Sequence, residues 1–322
     1  MNMQLLRAIS ASEVHAYQRD GVVWLQNIID PELARRLAAA IDQELLNPQG
    51  MTVDLTDMGL ENSTNNTVQA TSAEWGQKQQ EMDQRFAVAQ FLEGSVLVDP
   101  DVKVDETSRG HFVSCTSAWK RNAFISQLCQ ASPLPEVAAT LMQSKKVWLY
   151  ADQILVKPPG TREKTAWHHD LPYDHIDGSQ VTAIRMPCDR ETGEMGAVNY
   201  LRGSHRPRVT YKTNFFISNK ASPHDDGMDI PLIDDHRHLY DIVQIEPAPG
   251  DLVVHDLHTL HGAGGNASNR TRRAATIRYA GDDVRFKWRP AAPPQDVGNK
   301  LRDGDSLDLD LDTFPLVWPR ST

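Results

Sequence analysis

Apolar and polar positions along this 322-residue chain follow two rhythms, a helical one near the start and a two-residue one later. Ser10-x-x-Glu13 is a capping-box pattern that opens a short helix ending near Gly21. Val22 to Leu25 then reads as a strand. Asp30-Pro31 offers an N-cap and a first-turn proline for a helix over Pro31 to Leu46. From Lys146 onward the pattern is β. Val147 to Lys157, Val181 to Met186, Ala197 to Leu201, Ile242 to Ile245, Leu252 to His255 and Ala274 to Tyr279 are predicted strands, cut by turns such as Pro158-Pro159-Gly160. Many short strands between Gly/Pro turns predict a β sandwich or barrel with helices at its flanks.

Two stretches break these rhythms. Residues 48 to 110 carry the polar run Glu61 to Thr67, a helical pattern around Glu74 to Phe91 and a charged stretch from Asp99 to Arg109. They read as an insertion or lid. Residues 281 to 322, rich in Pro, Asp and Trp, are expected to wrap the outside of the core. Nothing else suggests a boundary, so the chain is read as a single domain over 1 to 322.

Candidate chemistry gathers in the β half. His168 and Asp170, in Trp167-His168-His169-Asp170, lie two apart, so on an extended strand edge both side chains point one way. About ninety residues later come His255, His258 and His261, each available as a third donor. His261 is favoured because Arg272, eleven residues on, can return beside it on an adjacent strand. Two imidazoles and one carboxylate leave coordination positions open, the ligand set of non-haem Fe(II) oxygenases. Arg272 offers a guanidinium fork for the distal carboxylate of 2-oxoglutarate. Zinc could take the same donors, but Arg272 would then have no purpose. With metal ligands inside, the β architecture is expected to be a double-stranded β-helix, a cupin-like jelly roll. His169 and Trp167 are expected to face away from the metal. His224, His236 and His238 lie in the loop Lys212 to Tyr240, which with residues 48 to 110 is expected to shape a substrate pocket.

Composition narrows the partners. The formal charge of −10 argues against nucleic acid or an anionic membrane surface and leaves a small molecule as the expected partner. Cys115, Cys129 and Cys188 are scattered, which fits reduced thiols in a cytoplasmic protein. No window approaches the ~18 uninterrupted apolar residues of a membrane span. Oligomeric state is not readable.

The chain resembles the phytanoyl-CoA dioxygenase family. The likeness rests on Trp167-His168-His169-Asp170, Gly193 to Ala197, Leu201-Arg202-Gly203-Ser204-His205, His261-Gly262 through Arg272-Arg273-Ala274, and the closing Phe314 to Pro319. The resemblance implies a jelly roll that uses Fe(II), 2-oxoglutarate and O2 and releases succinate and CO2. It implies that His168, Asp170 and His261 hold iron and that Arg272 clamps the co-substrate. Ser268, Gln153 and Lys157 sit where related proteins place further co-substrate or cavity residues. Asp170 fills the position that chloride would need, so oxidation of an unactivated C–H bond, with hydroxylation ahead of halogenation, is expected. A metal-dependent hydrolase or isomerase, or a non-catalytic jelly-roll binding protein, are the competing readings.

Overall fold

The structure, a computed structural model, describes residues 3–46, 52–56, 92, 94–104, 107–222, 225, 227–289, 292 and 300–319. The capping box forms: the Ser10 hydroxyl accepts the Glu13 N–H and the Glu13 carboxylate accepts the Ser10 N–H. It opens α1 (Ala11–Asp20), which Gly21 closes at φ +75°, a left-handed conformation suited to glycine. After β1 (Val22–Leu25), α2 (Pro31–Leu46) buries Leu33, Ala34, Leu37, Ala40 and Ile41, one helical stripe. Two further helices, α3 (Ala123–Ala131) and α4 (Leu134–Met142), occupy a stretch that the sequence pattern did not mark.

The remaining strands are β2 (Thr52–Asp54), β3 (Val113–Thr116), β4 (Val147–Lys157), β5 (Thr165–His168), β6 (Ile176–Asp177), β7 (Val181–Pro187), β8 (Val198–Leu201), β9 (Ile242–Gln244), β10 (Leu252–Asp256), β11 (His261–Ala263), β12 (Arg272–Ala280), β13 (Arg285–Phe286) and β14 (Leu316–Trp318). They pair antiparallel into a large sheet, β1-β10-β7-β12-β4-β3-β2 with β14 also on β4, and a small sheet, β5-β11-β8-β9. This is the expected jelly roll. The four helices named here, among the described residues, cover the outer face of the large sheet. There Ile154, Val156, Ile184, Met186, Val254, Ala275, Ile277 and Tyr279 join Leu37, Ile41, Leu128 and Leu141 in one apolar core.

Because side chains alternate along strands, the opposite face of the large sheet points into the interior. Its register sets out rows. Arg278 stands opposite Ala183, which stands opposite His255. Thr276 stands between Gln153 and Arg185, and Arg272 stands opposite Lys157. At ~3.4 Å per residue, Arg272 lies ~20 Å along β12 from Arg278. In the small sheet His261 stands between His168 and Tyr200.

Of residues 48 to 110, those described dock on this core: β2 pairs β3, and the Asp99 carboxylate accepts the Gly265 N–H at 2.8 Å. The helical pattern expected around Glu74 to Phe91 lies outside the described residues. In the tail, β13 pairs β6, and the buried Phe314 stacks on Tyr150 with ring centroids 5.4 Å apart. Among the described residues no helix is long and apolar enough to cross a membrane.

Candidate active site

Three donors meet between the sheets. One ligand atom each from His168, Asp170 and His261 lies within 4.8 Å of the others, and all three residues are buried. The local route to this differs from the expected strand edge. β5 ends at His168, and Asp170 has helical φ/ψ (−74°, −32°) at the entry to a 3-10 turn over Leu171–Tyr173. The chain turns Asp170 toward its own strand partner, so that Asp170 Oδ1 lies 3.7 Å from His168 Nε2 and 4.0 Å from His261 Nε2.

The histidines are prepared as ligands. His168 Nδ1 lies 2.8 Å from the Ala166 carbonyl and His261 Nδ1 lies 3.0 Å from the Thr259 carbonyl. Carbonyls only accept, so each δ nitrogen carries the proton and each ε lone pair faces inward. His168 Nε2 is buried without a hydrogen-bond partner among the described residues. Burial pushes both imidazoles toward the neutral form that binds metal. Burial alone would raise Asp170, but Arg278, His255 and His261 outweigh it and hold the carboxylate well below its usual range. A buried orphan nitrogen aimed at a carboxylate and a second imidazole is a donor set that fits a divalent cation.

Asp170 is held from behind by Arg278, to which the sequence reading gave no role, and by His255, which it offered as a third donor. Arg278 donates to Oδ1 at 3.2 Å and His255 donates to Oδ2 at 3.1 Å. Arg278 also lies 3.6 Å from Asp174 and donates to Gln153 at 2.9 Å. Of the three candidate distal histidines, His261 thus meets the other donors and His255 braces the carboxylate. His258 turns away to Asp256, 2.9 Å distant.

The three donors and Arg272 line one cavity of about 30 Å³, together with Gln153, Thr276, Tyr200 and Arg185. Arg272 donates from Nη1 to the Gly196 carbonyl at 2.5 Å, and its Nε lies 3.6 Å from Glu191. Burial, with Arg185 adding to it and Glu191 opposing, pushes this guanidinium down to about 10. Phe216 closes the other flank, its ring 4.7 Å from the His168 ring. Its φ of +65° is rare for a bulky side chain and is fixed by the Asn214 side chain, which accepts the Phe216 N–H at 3.0 Å. A roomier cavity of about 320 Å³ lies against Trp167 and the Lys212–Asp229 ion pair and includes none of the three donors.

The other sequence candidates divide. Gln153 lines the cavity; Lys157 and Ser268 do not. The Lys157 ammonium donates to the Glu163 and Gly264 carbonyls and the Thr165 hydroxyl at 2.8 to 3.2 Å, because a buried amine takes every acceptor in reach. The Ser268 hydroxyl donates to Asn266 at 2.7 Å and stabilises the turn before β12. His169 is buried away from the donors and accepts the Tyr211 N–H at 2.9 Å, and Trp167 donates to Asp234 at 3.0 Å. His236 and His238 are exposed, and His224 lies outside the described residues.

A jelly roll that gathers two neutral imidazoles and a carboxylate beside a buried arginine defines a metal-dependent oxygenase of the oxo-acid-using class. The family model for phytanoyl-CoA dioxygenase matches residues 17–274, and the chain belongs to that family. It is an Fe(II)- and 2-oxoglutarate-dependent dioxygenase that uses O2. Ectoine dioxygenase of Sphingopyxis alaskensis is 22% identical over 206 residues, 60% of this chain and 67% of that protein. Two solved structures share the fold. The alpha-ketoglutarate-dependent carbocyclase SnoK from nogalamycin biosynthesis has TM-score 0.62 and 18% identity, with 96% of each chain covered. EctD from S. alaskensis, with 2-oxoglutarate and 5-hydroxyectoine, has TM-score 0.58 and 18% identity, covering 92% of this chain and 85% of that one.

Proposed function

We propose that His168, Asp170 and His261 hold the iron, that Arg272 binds the distal carboxylate of 2-oxoglutarate, and that the enzyme hydroxylates an unactivated C–H bond of a small molecule. The observation that carries this is the convergence of the three donors within 4.8 Å, in a cavity that Arg272 also lines. Iron bound there supplies the oxidising chemistry that couples decarboxylation of 2-oxoglutarate, with O2, to attack on the substrate.

The protein's own residues do the rest. Ala166 and Thr259 fix the imidazole tautomers, and Arg278 and His255 fix the Asp170 carboxylate. Such outer partners typically account for 10–100-fold in metal affinity or activity. Asp170, occupying its position with a carboxylate, leaves no place for a halide, which favours hydroxylation over halogenation; desaturation, epimerisation and ring formation diverge only after hydrogen abstraction and are alternative outcomes of the same oxidation. Phe216, Leu155 and Val198 exclude water from the flank of the donors. Relatives named for ectoine and for nogalamycin compounds support a small-molecule substrate. The free, buried Cys115, Cys129 and Cys188 support a reducing, cytoplasmic setting. We read the whole chain as one domain, with 48–110 as a lid and 281–322 as a wrapping tail.

The test is Fe(II)-dependent formation of succinate from 2-oxoglutarate under O2. His168→Ala and Asp170→Ala are expected to abolish both succinate formation and metal uptake. Undiminished succinate from either variant would refute the assignment of the ligands.

A further inference from the structure

The far end of the cavity holds more positive charge than one clamp arginine supplies. Arg185 projects from β7 into the same interior, in register with Thr276 of β12, between the row of Arg278 and the position of Arg272. Arg185 and Arg272 are each only 3% exposed. They share a single carboxylate: Glu191 Oε1 lies 2.6 Å from Arg185 Nη2, and Oε2 lies 3.6 Å from Arg272 Nε. Glu191 is thus divided between the two guanidiniums, close to Arg185 and more distant from Arg272. The Tyr200 hydroxyl, lining the same cavity, is buried and unpartnered among the described residues. Two guanidiniums against one carboxylate leave a net charge of +1. A buried unpaired charge is costly, and the unpartnered Tyr200 hydroxyl beside it leaves the site incomplete without an anion.

We propose that Arg185 is a second anchor for the distal carboxylate of 2-oxoglutarate, acting with Arg272 and the Tyr200 hydroxyl, while Glu191 sets the balance at one unmet positive charge. The inference rests on the reading of Arg272 as the clamp. It makes the site selective for a dicarboxylate. A 2-oxo acid with a methyl group in place of the distal carboxylate would leave the buried charge unanswered and the three donors dry.

The experiment measures the dissociation constants of 2-oxoglutarate and 2-oxopentanoate by isothermal titration, with Mn(II) loaded in place of iron. Arg185→Met/Glu191→Met removes the ion pair while keeping the net charge and nearly the volume. This double variant is expected to weaken 2-oxoglutarate at least tenfold and 2-oxopentanoate less than threefold. Wild-type affinity for 2-oxoglutarate would overturn the proposal, since Arg185 would then serve only to neutralise Glu191. Equal weakening of both ligands would overturn it too, because loss of shape does not distinguish a carboxylate from a methyl. Should the double variant fail to fold, Arg185→Lys keeps the charge and loses the fork; it is expected to weaken 2-oxoglutarate at least threefold, and no change would be equally fatal. Arg272→Met separates the two ideas. Unaltered binding there sinks the clamp itself, whereas weakened binding there with none in the Arg185 variants sinks only this inference.

Discussion

Replacing Arg272 by Met should damage co-substrate binding far more than folding. Among the described residues the Arg272 side chain makes one hydrogen bond, to the Gly196 carbonyl, and it stands 3.6 Å from a Glu191 carboxylate that is nearer to Arg185. Its removal leaves Arg185 and Glu191 as a neutral pair, so the folded protein loses about 1 kcal/mol for one hydrogen bond. It also sheds a guanidinium that burial disfavours. 2-Oxoglutarate, by contrast, loses a buried charge partner worth about 2–5 kcal/mol. At ~1.4 kcal/mol per tenfold, its dissociation constant should rise roughly 30- to 4,000-fold. Arg272→Lys, which keeps the charge but offers no planar fork, should fall between. The assay is titration of the Mn(II)-loaded variants with 2-oxoglutarate, alongside thermal melts without ligand. A dissociation constant within threefold of wild type, together with a melting temperature lowered by more than about 4 °C (~3 kcal/mol at about 2.1 cal/mol/K per residue for a chain of 322 residues), would show Arg272 to be a structural residue and refute the reasoning.

Two further outcomes follow from the surroundings of the site. Gly196 has φ +73°, and a Cβ there would stand 2.4 Å from the Gly264 and Gly265 carbonyl oxygens. Gly196→Ala should therefore cost at least ~1–3 kcal/mol in strain and raise the 2-oxoglutarate requirement by moving the carbonyl that holds Arg272; an unchanged melt and titration would contradict this. Asp152, 1% exposed behind the large sheet, is pushed up to about 6 by burial, partly offset by backbone N–H donors such as Ala118. A carboxyl raised on folding contributes stability that is full below its unfolded pKa and lost as pH rises through about 6. Asp152→Asn should then be more stable than wild type at pH 8, by up to ~3 kcal/mol for a shift of about two pKa units, and show no gain at pH 4. Denaturant melts at the two pH values check this, and an equal difference at both would contradict it.

What the sequence revealed was what its local spacing carries. The capping box and the alternation of β4 and β12 follow from helix and strand periods, and His261 and Arg272, eleven residues apart, are joined by a single turn between neighbouring segments. α4 went unmarked because Leu134 to Met142 is buried on most faces, and such a helix shows little amphipathic rhythm; α3 does carry a stripe, Ile125, Leu128 and Cys129, but over only nine residues. Arg185 was overlooked within Val181-Thr182-Ala183-Ile184-Arg185-Met186-Pro187, a strand buried along its whole length. A lone arginine in such a run was the available signal, since a buried charge requires a partner. Lys157 and Ser268 show the converse. Their types and positions suit a co-substrate site, but only coordinates reveal that Glu163, Gly264 and Asn266 already occupy their polar atoms.

The paired charges also explain why this interior can receive two different ligands in tandem. At the Arg278 end of β12 the polar groups are acceptors and lone pairs: Asp170, Asp174 and the ε nitrogens of His168 and His261. Arg278 is the cation that keeps the two acids from repelling each other, 3.2 Å from one and 3.6 Å from the other. At the Arg272 end the excess is positive, with Glu191 as the tether. Arg278 and Arg272 are six residues apart on β12, yet their side chains line one cavity. A cation seated at the first end and the far carboxylate of a keto acid reaching toward the second each meet the charge that burial left uncompensated. Exchanging the ends, or adding one carboxylate at the Arg272 end, would remove that match while leaving the jelly roll and its outer apolar core untouched.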